Sequence, residues 1–386
     1  MTSFGIDQLL QSNPYWKKQR IALVTNQAAT TNTYIPSRKA LLDAGFNICR
    51  LFSPEHGLDI RGADGAKMKD GTDNLTGLPV ISLYSEKLAP AAADLKGIDL
   101  VLFDIPDIGC RFYTYLWTLT HVLESCGHFG KKLVILDRPN PISGNLALAE
   151  GPVLDEQHCT SFIGRWAIPL RHSCTFGELA LYFNEIKGLE ASVEVITCNG
   201  WRRNMFQPDW QLQFVPTSPA MNNFQSTLLY PGLGLLEATN ISEGRGTPTP
   251  FSRIGAPWFN PKLFAKYFKV PGIRTQAVTF TPAESKYQQE DCQGISITVA
   301  APYQIPSVSI GLLLIKQIYD LFPRDFQWKP YPTLVNPTGN QHLDKLLGIP
   351  DTETLFDYTL SDFEKTIRQI TDTGSWQQAI RPFLLY

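Results

Sequence analysis

Residues 99–109 read DLVLFDIPDIG: apolar side chains at consecutive positions, then an acid, a proline, a second acid and a glycine. A strand with one wet face alternates apolar and polar residues, so an unbroken run suits a strand covered on both faces, and hence a parallel sheet. Three other segments share this grammar: RIALVTNQ at 20–27, NICRLFSPEHG at 47–57 and KKLVILDRPNP at 131–141. Helical patterns lie between them, IPSRKALLDAG at 35–45 and YLWTLTHVLESCG at 115–127. Strand alternating with helix predicts a doubly wound, Rossmann-like α/β layer.

In such a layer the functional site lies outside the carboxyl ends of the strands. Those ends carry Asn26 and Gln27, then Glu55 and His56, then Asp104 and Asp107 with Arg111, then Asp137 and Arg138. Four polar clusters are therefore expected on one rim. After LVT the chain continues NQAATTNT, without GxGxxG or a P-loop, so no nucleotide cofactor is expected.

A Pro/Gly-rich passage, RPNPISGNLALAEGPVLDEQ at 138–157, marks a boundary near residue 150. The expectation is a Rossmann-like parallel-sheet N-terminal domain over 1–150 plus a smaller α+β C-terminal domain over 151–386 that closes the cleft. Thr175 to Glu178 and Ser361 to Glu364 have capping-box spacing and open helices TFGELALYFNEI and SDFEKTIRQI. SVEVITC at 192–198 and GISITVA at 294–300 read as strands, and SVSIGLLLIKQIYDLF at 307–322 as a buried helix. The stretch from Thr217 to Trp258 reads as a long, ordered, functional loop carrying Glu237, Glu243, Arg245 and Arg253.

The 386 residues are 43% hydrophobic and 18% charged with net charge −2, a globular balance that offers no electrostatic case for nucleic acid. No stretch reaches the roughly 20 apolar residues that span a bilayer, so no membrane partner is expected. The N-terminus lacks the pattern of a secretory signal. The chain as given reads as cytoplasmic, or as periplasmic or secreted if an export signal has been removed. Its seven cysteines are scattered, odd in number and never in CxxC spacing, which speaks against a disulfide framework and a zinc site.

Glycosidic bond cleavage commonly uses two carboxyl groups, one of them a proton donor kept protonated by burial. Glu55 suits the donor: Pro54 shapes the strand exit, Gly57 permits a tight turn, and His56 is a catalytic candidate placed to tune or orient its neighbour. A helix cap or a salt bridge is the competing use of Glu55. Asp104 and Asp107 straddle a strand end, and Asp107 with Arg111 has the spacing of an ion pair on one helical face. The two acids with His56 also raise a metal, although no spacing compels one. Arg111, Arg138 and Arg245 suit a carboxylate or phosphate on a substrate. Tyr113, Tyr115, Trp117, Trp201 and Trp258 offer faces for stacking, with core packing as the alternative. The residues alone thus describe an α/β hydrolytic enzyme with acids on its strand rim.

The ordered motifs VTNQ, SPEHG, TGLPVISLY, FDIPDIGCRFYTY, LDRPNPISG, EGPVLD, IPLRHSCTFGELA, GWRR, SPAMNN, YPG, NISEGRGTPTPF and IGAPW resemble the NamZ-type exo-β-N-acetylmuramidases, from GIDQLL at 5–10 almost to the C-terminus. The departures are Pro106, in place of a polar residue, and Cys174, in place of Met or a small residue. The resemblance implies release of N-acetylmuramic acid from the non-reducing end of peptidoglycan-derived fragments such as MurNAc-GlcNAc. It carries Glu55 over as the catalytic acid. The second catalytic group stays open among Glu243, Asp104, Asp107 and the substrate acetamide. Asn222 and Asn223 of SPAMNN join Asn26, Gln27, Tyr113, Asp137 and the arginines Arg111, Arg138 and Arg245 as substrate-binding candidates. A non-catalytic muramyl-sugar binding protein, a metal-dependent hydrolase and an NAD-dependent glycosidase are the rival readings.

Overall fold

The computed structural model describes residues 2–386. Strands β1 (Ile21–Thr25), β2 (Ile48–Ser53), β3 (Gly71–Thr72), β4 (Pro79–Ser82), β5 (Leu100–Asp104) and β6 (Lys132–Leu136) build the main sheet. Next in the chain come β7 (Glu150–Val153) and β8 (Pro169–Arg171), a separate two-stranded ribbon, and then β9 (Val193–Ile196). The main sheet has the order β3-β4-β2-β1-β5-β6-β9, all parallel except for the β3–β4 pair. All four strands expected from the apolar runs are present. SVEVITC, grouped by sequence with the second domain, supplies β9 and completes the sheet at the β6 edge.

The unbroken apolar runs have a geometric cause. Side chains alternate across a strand, so Ala22, Val24, Val101, Phe103, Leu133 and Ile135 join one core, while Ile21, Leu23, Leu100, Leu102, Val134 and Leu136 join the core on the opposite face. Both faces are covered, and every position must be apolar. The chain leaves β1 toward β2 and β4, then returns to the other side of β1 to lay down β5, β6 and β9. The direction reverses between β1 and β5, which opens a crevice at their carboxyl ends.

The C-terminal part holds an antiparallel sheet of β10 (Arg253–Ala256), β11 (Ile273–Phe280) and β12 (Cys292–Val299) in the order β10-β12-β11. The buried helix is Ser307–Leu321 as expected. The stretch from Thr217 to Trp258 is a loop only in part: it contains a helix, Phe224–Leu233, a 3-10 turn, Gly234–Ala238, and β10. Proline and glycine hid this helix. Pro231 lies within it, and Gly232 crosses the 307–321 helix so closely that a Cβ would stand 1.8 Å from the Ser307 carbonyl oxygen. Thr175 caps its helix as predicted, with Glu178 closing the box. The 360–370 helix starts earlier than expected, and its cap is Thr359, whose hydroxyl accepts from Asp362 N.

Among the described residues no helix is long and apolar enough to cross a membrane. All seven cysteines are free.

Candidate active site

At the end of β2 the chain turns sharply. Gly57 N donates to the Pro54 carbonyl at 3.1 Å, and both His56 (φ 64°) and Gly57 (φ 75°) are left-handed. That conformation is uncommon for histidine and marks a position the surroundings enforce. The turn swings Glu55 back into a cavity between the main sheet and the C-terminal part. Its carboxyl is 5% exposed: Oε1 accepts from Gly65 N at 2.8 Å and Oε2 from the Thr114 hydroxyl at 2.5 Å. His56 Nδ1 lies 2.8 Å from the Gly62 carbonyl. A carbonyl only accepts, so Nδ1 carries a proton.

The facing wall comes from the loop after β2 and from the C-terminal part. Asp64, whose side chain is 31% exposed, accepts from the Tyr331 hydroxyl at 2.8 Å and lies 3.5 Å from Arg245 Nη2. Arg245 also donates through Nη2 to Glu237 at 2.6 Å and through Nε to Glu243 at 3.1 Å. Lys286 binds the other oxygen of Glu243, and His342 stands 3.5 Å from Glu237 and stacks on Tyr331. The segment carrying Tyr331 is tied to the Glu55 loop by Leu334 N donating to the Gly65 carbonyl at 3.1 Å.

Two neighbouring acids are driven in opposite directions. Burial, reinforced by the charge of Asp64, raises Glu55 above the usual glutamate range against the opposing effects of His56, Thr114 and Gly65. Burial also pushes Asp64 up, but Arg245, His56 and the Tyr331 hydroxyl outweigh it and hold the carboxyl below its ordinary value. Raising one carboxyl while lowering its neighbour separates the two groups in the direction that an acid paired with an anionic partner uses.

The predicted residues divide between several places. Glu55, His56, Tyr113 and Arg245 line this cavity; Glu243, 1% exposed, lies behind Arg245. Asp104 is bound by Arg138 through Nε and Nη2 at 2.5 and 3.0 Å, and Asp107 and Arg138 line a different cavity at the β1–β5 crevice. Arg111 is enclosed in the core, its guanidinium donating to the carbonyls of Pro152, Ile168, Leu346 and Leu347. Among the described residues the expected Asp107–Arg111 ion pair does not form. Asp137 anchors a helix start and the C-terminus, accepting from Gly177 N at 2.9 Å and the Tyr386 hydroxyl at 2.8 Å. Asn26 turns its Oδ1 to Ala28 N, and Gln27 accepts from Arg38. Asn223 caps the 224–233 helix, with Asn222 beside it. Trp117 and Trp201 are core residues.

One ligand atom each from Glu55, His56 and Asp64 lie within 4.8 Å of one another, a span a metal ion can bridge. The three are already engaged by Thr114 and Gly65, by Gly62, and by Tyr331 and Arg245 respectively. A guanidinium beside Asp64 opposes a second cation there.

Sequence reading passed over Asp64, Thr114, Tyr84, Tyr331 and His342, all of which line the cavity. Asp64 lies in an irregular, polar, glycine-rich loop, GLDIRGADGAKMKDG. Loop length was its available signal. The others are separated in sequence from Glu55 by up to nearly three hundred positions, roughly counted, and nothing local points to their meeting.

The N-terminal family model described as exo-β-N-acetylmuramidase NamZ matches residues 21–225, and the C-terminal one matches residues 228–386. The peptidoglycan β-N-acetylmuramidase NamZ of Bacillus subtilis (strain 168) is 38% identical over 378 residues, spanning 96% of this chain and 89% of that protein. Two solved structures of DUF1343 family proteins from Bacteroides fragilis NCTC 9343 share the fold over 100% of this chain and 99% of theirs. Their TM-scores are 0.87 and 0.76, at 28% and 25% identity.

Proposed function

Because the chain belongs to the exo-β-N-acetylmuramidase NamZ family, we propose that Glu55 is the proton donor and Asp64 its anionic partner in cleavage of a β-N-acetylmuramide. The protein is a glycosidase, an exo-β-N-acetylmuramidase of peptidoglycan-derived glycans. The finer reading assigns it the non-reducing-end muramic acid of fragments such as MurNAc-GlcNAc. We divide the chain near residue 226, where the two family matches meet, with the cavity between the halves.

The observation that carries the residue roles is the pair of opposed acids. Protonated Glu55 gives its proton to the glycosidic oxygen as the C1–O bond breaks. Ionised Asp64 stabilises the positive charge growing at the sugar, either by attacking C1 or by holding the acetamide that does so. Inverting enzymes separate their carboxyls by roughly 6.5–9.5 Å to admit a water, and retaining ones by about 5–5.5 Å. The close approach of Glu55 and Asp64 supports the second arrangement. Either use of Asp64 then gives two inversions and overall retention, with deprotonated Glu55 activating the water in the second step.

Of the three arginines expected to read the lactyl carboxylate, Arg245 is the one lining this cavity. Its Nε and Nη2 hold the acidic wall, which leaves Nη1 for the substrate. A substrate without that carboxylate leaves this donor desolvated and unpaired. Arg245→Met is therefore expected to erase the preference for a muramide over the matching glucosaminide.

The test is hydrolysis of a chromogenic β-N-acetylmuramide and the matching glucosaminide by the wild type and Glu55→Gln, with the first sugar product followed by NMR. Release from the muramide alone, lost in the variant, with the β-anomer appearing first, is the expected result. Muramide binding without release moves the protein to a sugar-binding role. An α-anomer first removes Asp64 from its proposed place.

A further inference from the structure

The turn after β2 places one polar side chain in the cavity that proton donation and charge stabilisation leave without a task. His56 is 5% exposed and sits on a left-handed backbone, φ 64°, next to Glu55. A β-carbon disfavours that conformation, and residues held in it gather at functional sites. Glycine would hold the same turn with less strain, as Gly57 does one position on at φ 75°. What the strained position retains is therefore the imidazole.

Gly62 clasps this residue through both of its backbone groups. Its N–H donates to the His56 carbonyl at 3.0 Å, and its carbonyl accepts from His56 Nδ1 at 2.8 Å. A Cβ on Gly62 would stand 3.0 Å from His56 Cα and 2.6 Å from Met68 Sδ, so the approach requires glycine. The clasp fixes the direction of the ring and its tautomer together. With the proton on Nδ1, Nε2 of the neutral ring is an acceptor and nothing else. Among the described residues Nε2 has no hydrogen-bond partner, and unlike Nδ1 of His342 it is not sealed off from the cavity that both rings line.

The substrate carries one group that matches a pure acceptor. Of the polar groups on an N-acetylmuramide, the hydroxyls donate and accept, the carboxylate and the amide carbonyl accept, and only the acetamide N–H donates alone. That N–H is attached at C2, beside the carbon at which Glu55 and Asp64 act. A ring nitrogen of His56 and one oxygen of each acid lie within 4.8 Å of one another, which brings the imidazole within reach of this substituent. Asp64, the other acceptor nearby, is already engaged by the Tyr331 hydroxyl and by Arg245.

On the muramidase reading of this cavity, we propose that His56 Nε2 accepts a hydrogen bond from the acetamide N–H of the substrate, and so reads the group at C2 as Arg245 reads the lactyl carboxylate. His56 moves no proton in this role. It orients the acetamide, and it rejects sugars without a donor at C2, because they strand Nε2 without a partner.

The test compares a chromogenic β-N-acetylmuramide with its 2-O-acetyl counterpart, in which an ester oxygen replaces the N–H. Both are given to the wild type and to His56→Gly, a substitution that suits the left-handed turn. The amide-to-ester ratio of kcat/KM is expected to be larger in the wild type than in His56→Gly by about tenfold or more, since the ester turns a lone pair toward Nε2. A purely structural role for His56 would slow both substrates together; an unchanged ratio overturns the proposal. A ratio that survives in His56→Gly and collapses in Asp64→Asn also overturns it, and gives the N–H to Asp64. Titration calorimetry of the two methyl glycosides on Glu55→Gln repeats the comparison without turnover. The amide is expected to bind more tightly, and equal affinities overturn the proposal whether or not His56→Gly folds. A ratio lost in His56→Gly supports the contact even where Glu55→Gln keeps its turnover, an outcome that would remove only the acid role of Glu55.

Discussion

β2 and β6 each deliver a carboxyl to the same rim of one sheet, and the two meet different fates. Glu55 and Asp137 are both buried, and burial raises both pKa values, that of Asp137 to about 6. Asp137 is enclosed by Gly177 N and the Tyr386 hydroxyl, which tie down a helix start and the C-terminus. Glu55 is held just as firmly by Gly65 N and Thr114, yet it opens onto a cavity that also contains an ionised acid. A raised carboxyl is therefore no sign of catalysis by itself. Access and an opposed partner make the difference.

Exchanging each acid for its amide tests the comparison at its largest scale. Glu55→Gln is expected to lower kcat by a factor on the order of 10²–10⁴, the usual worth of a general acid, at unchanged melting temperature. Asp137→Asn is expected to keep kcat within a few-fold. A large loss of turnover in Asp137→Asn with the fold intact would merge the two strand ends into one site.

The second consequence of the comparison is read in stability. Asp137 has a folded pKa near 6 against an ordinary value of 3.8, so between those values the native state holds a proton that the unfolded state has released. Stability from this group is thus fully present below about pH 4, falls as pH rises to about 6, and is flat above. The span corresponds to on the order of 3 kcal/mol. The change in unfolding free energy from pH 4 to pH 7, taken from urea titrations, is expected to be more favourable to the folded state in Asp137→Asn than in the wild type by an amount of this order. An unchanged difference would show that Asp137 is not buried as a charge.

These two acids also mark how far the sequence could be read. The four apolar runs announced their strands, because burial on both faces leaves a continuous signal within each segment. The rim followed from topology, and Glu55 with it. Asp104, Asp107, Arg111, Asp137 and Arg138 carry the same local signature, an acid or arginine just past a strand, and nothing in the run itself separates a wall of the active site from a helix anchor. That distinction depends on Gly177, Tyr386 and Leu346, which arrive from distant parts of the chain. Asp64 had no periodic signature, since an irregular loop has none to read, and the length of that loop was the one sign of it. The family motifs carried Glu55 over as the catalytic acid, a role that its place on the rim left open.

Smaller effects sharpen the difference between the two carboxyls. The Thr114 hydroxyl lowers the pKa of Glu55 by favouring its charged form. Thr114→Val removes that hydrogen bond, so Glu55 keeps its proton to higher pH and the alkaline limb of kcat/KM moves upward. A hydrogen bond to a charged group is worth about 1.5–3 kcal/mol, which bounds the move at roughly one to two pH units. Asp137→Asn is expected to leave that limb in place. A limb that does not move in Thr114→Val belongs to a group other than Glu55.

The smallest expected effect is none, and it bears on the acids at the β2 end. Glu55, His56 and Asp64 approach closely enough to hold an ion, whereas no such cluster surrounds Asp137 among the described residues. A divalent ion there would draw the proton off Glu55, the proposed proton donor, and would compete with Arg245 for Asp64. Metal and acid roles for Glu55 are therefore mutually exclusive, and activity on the muramide is expected to be the same in excess chelator as in added divalent metal. Loss of activity on chelation, restored by metal, would turn the cluster into a hydrolytic metal centre and Arg245 into its outer partner. Unchanged activity leaves the opposed pair, one acid raised by burial and the other lowered by a guanidinium, as the feature that separates the β2 end from the β6 end.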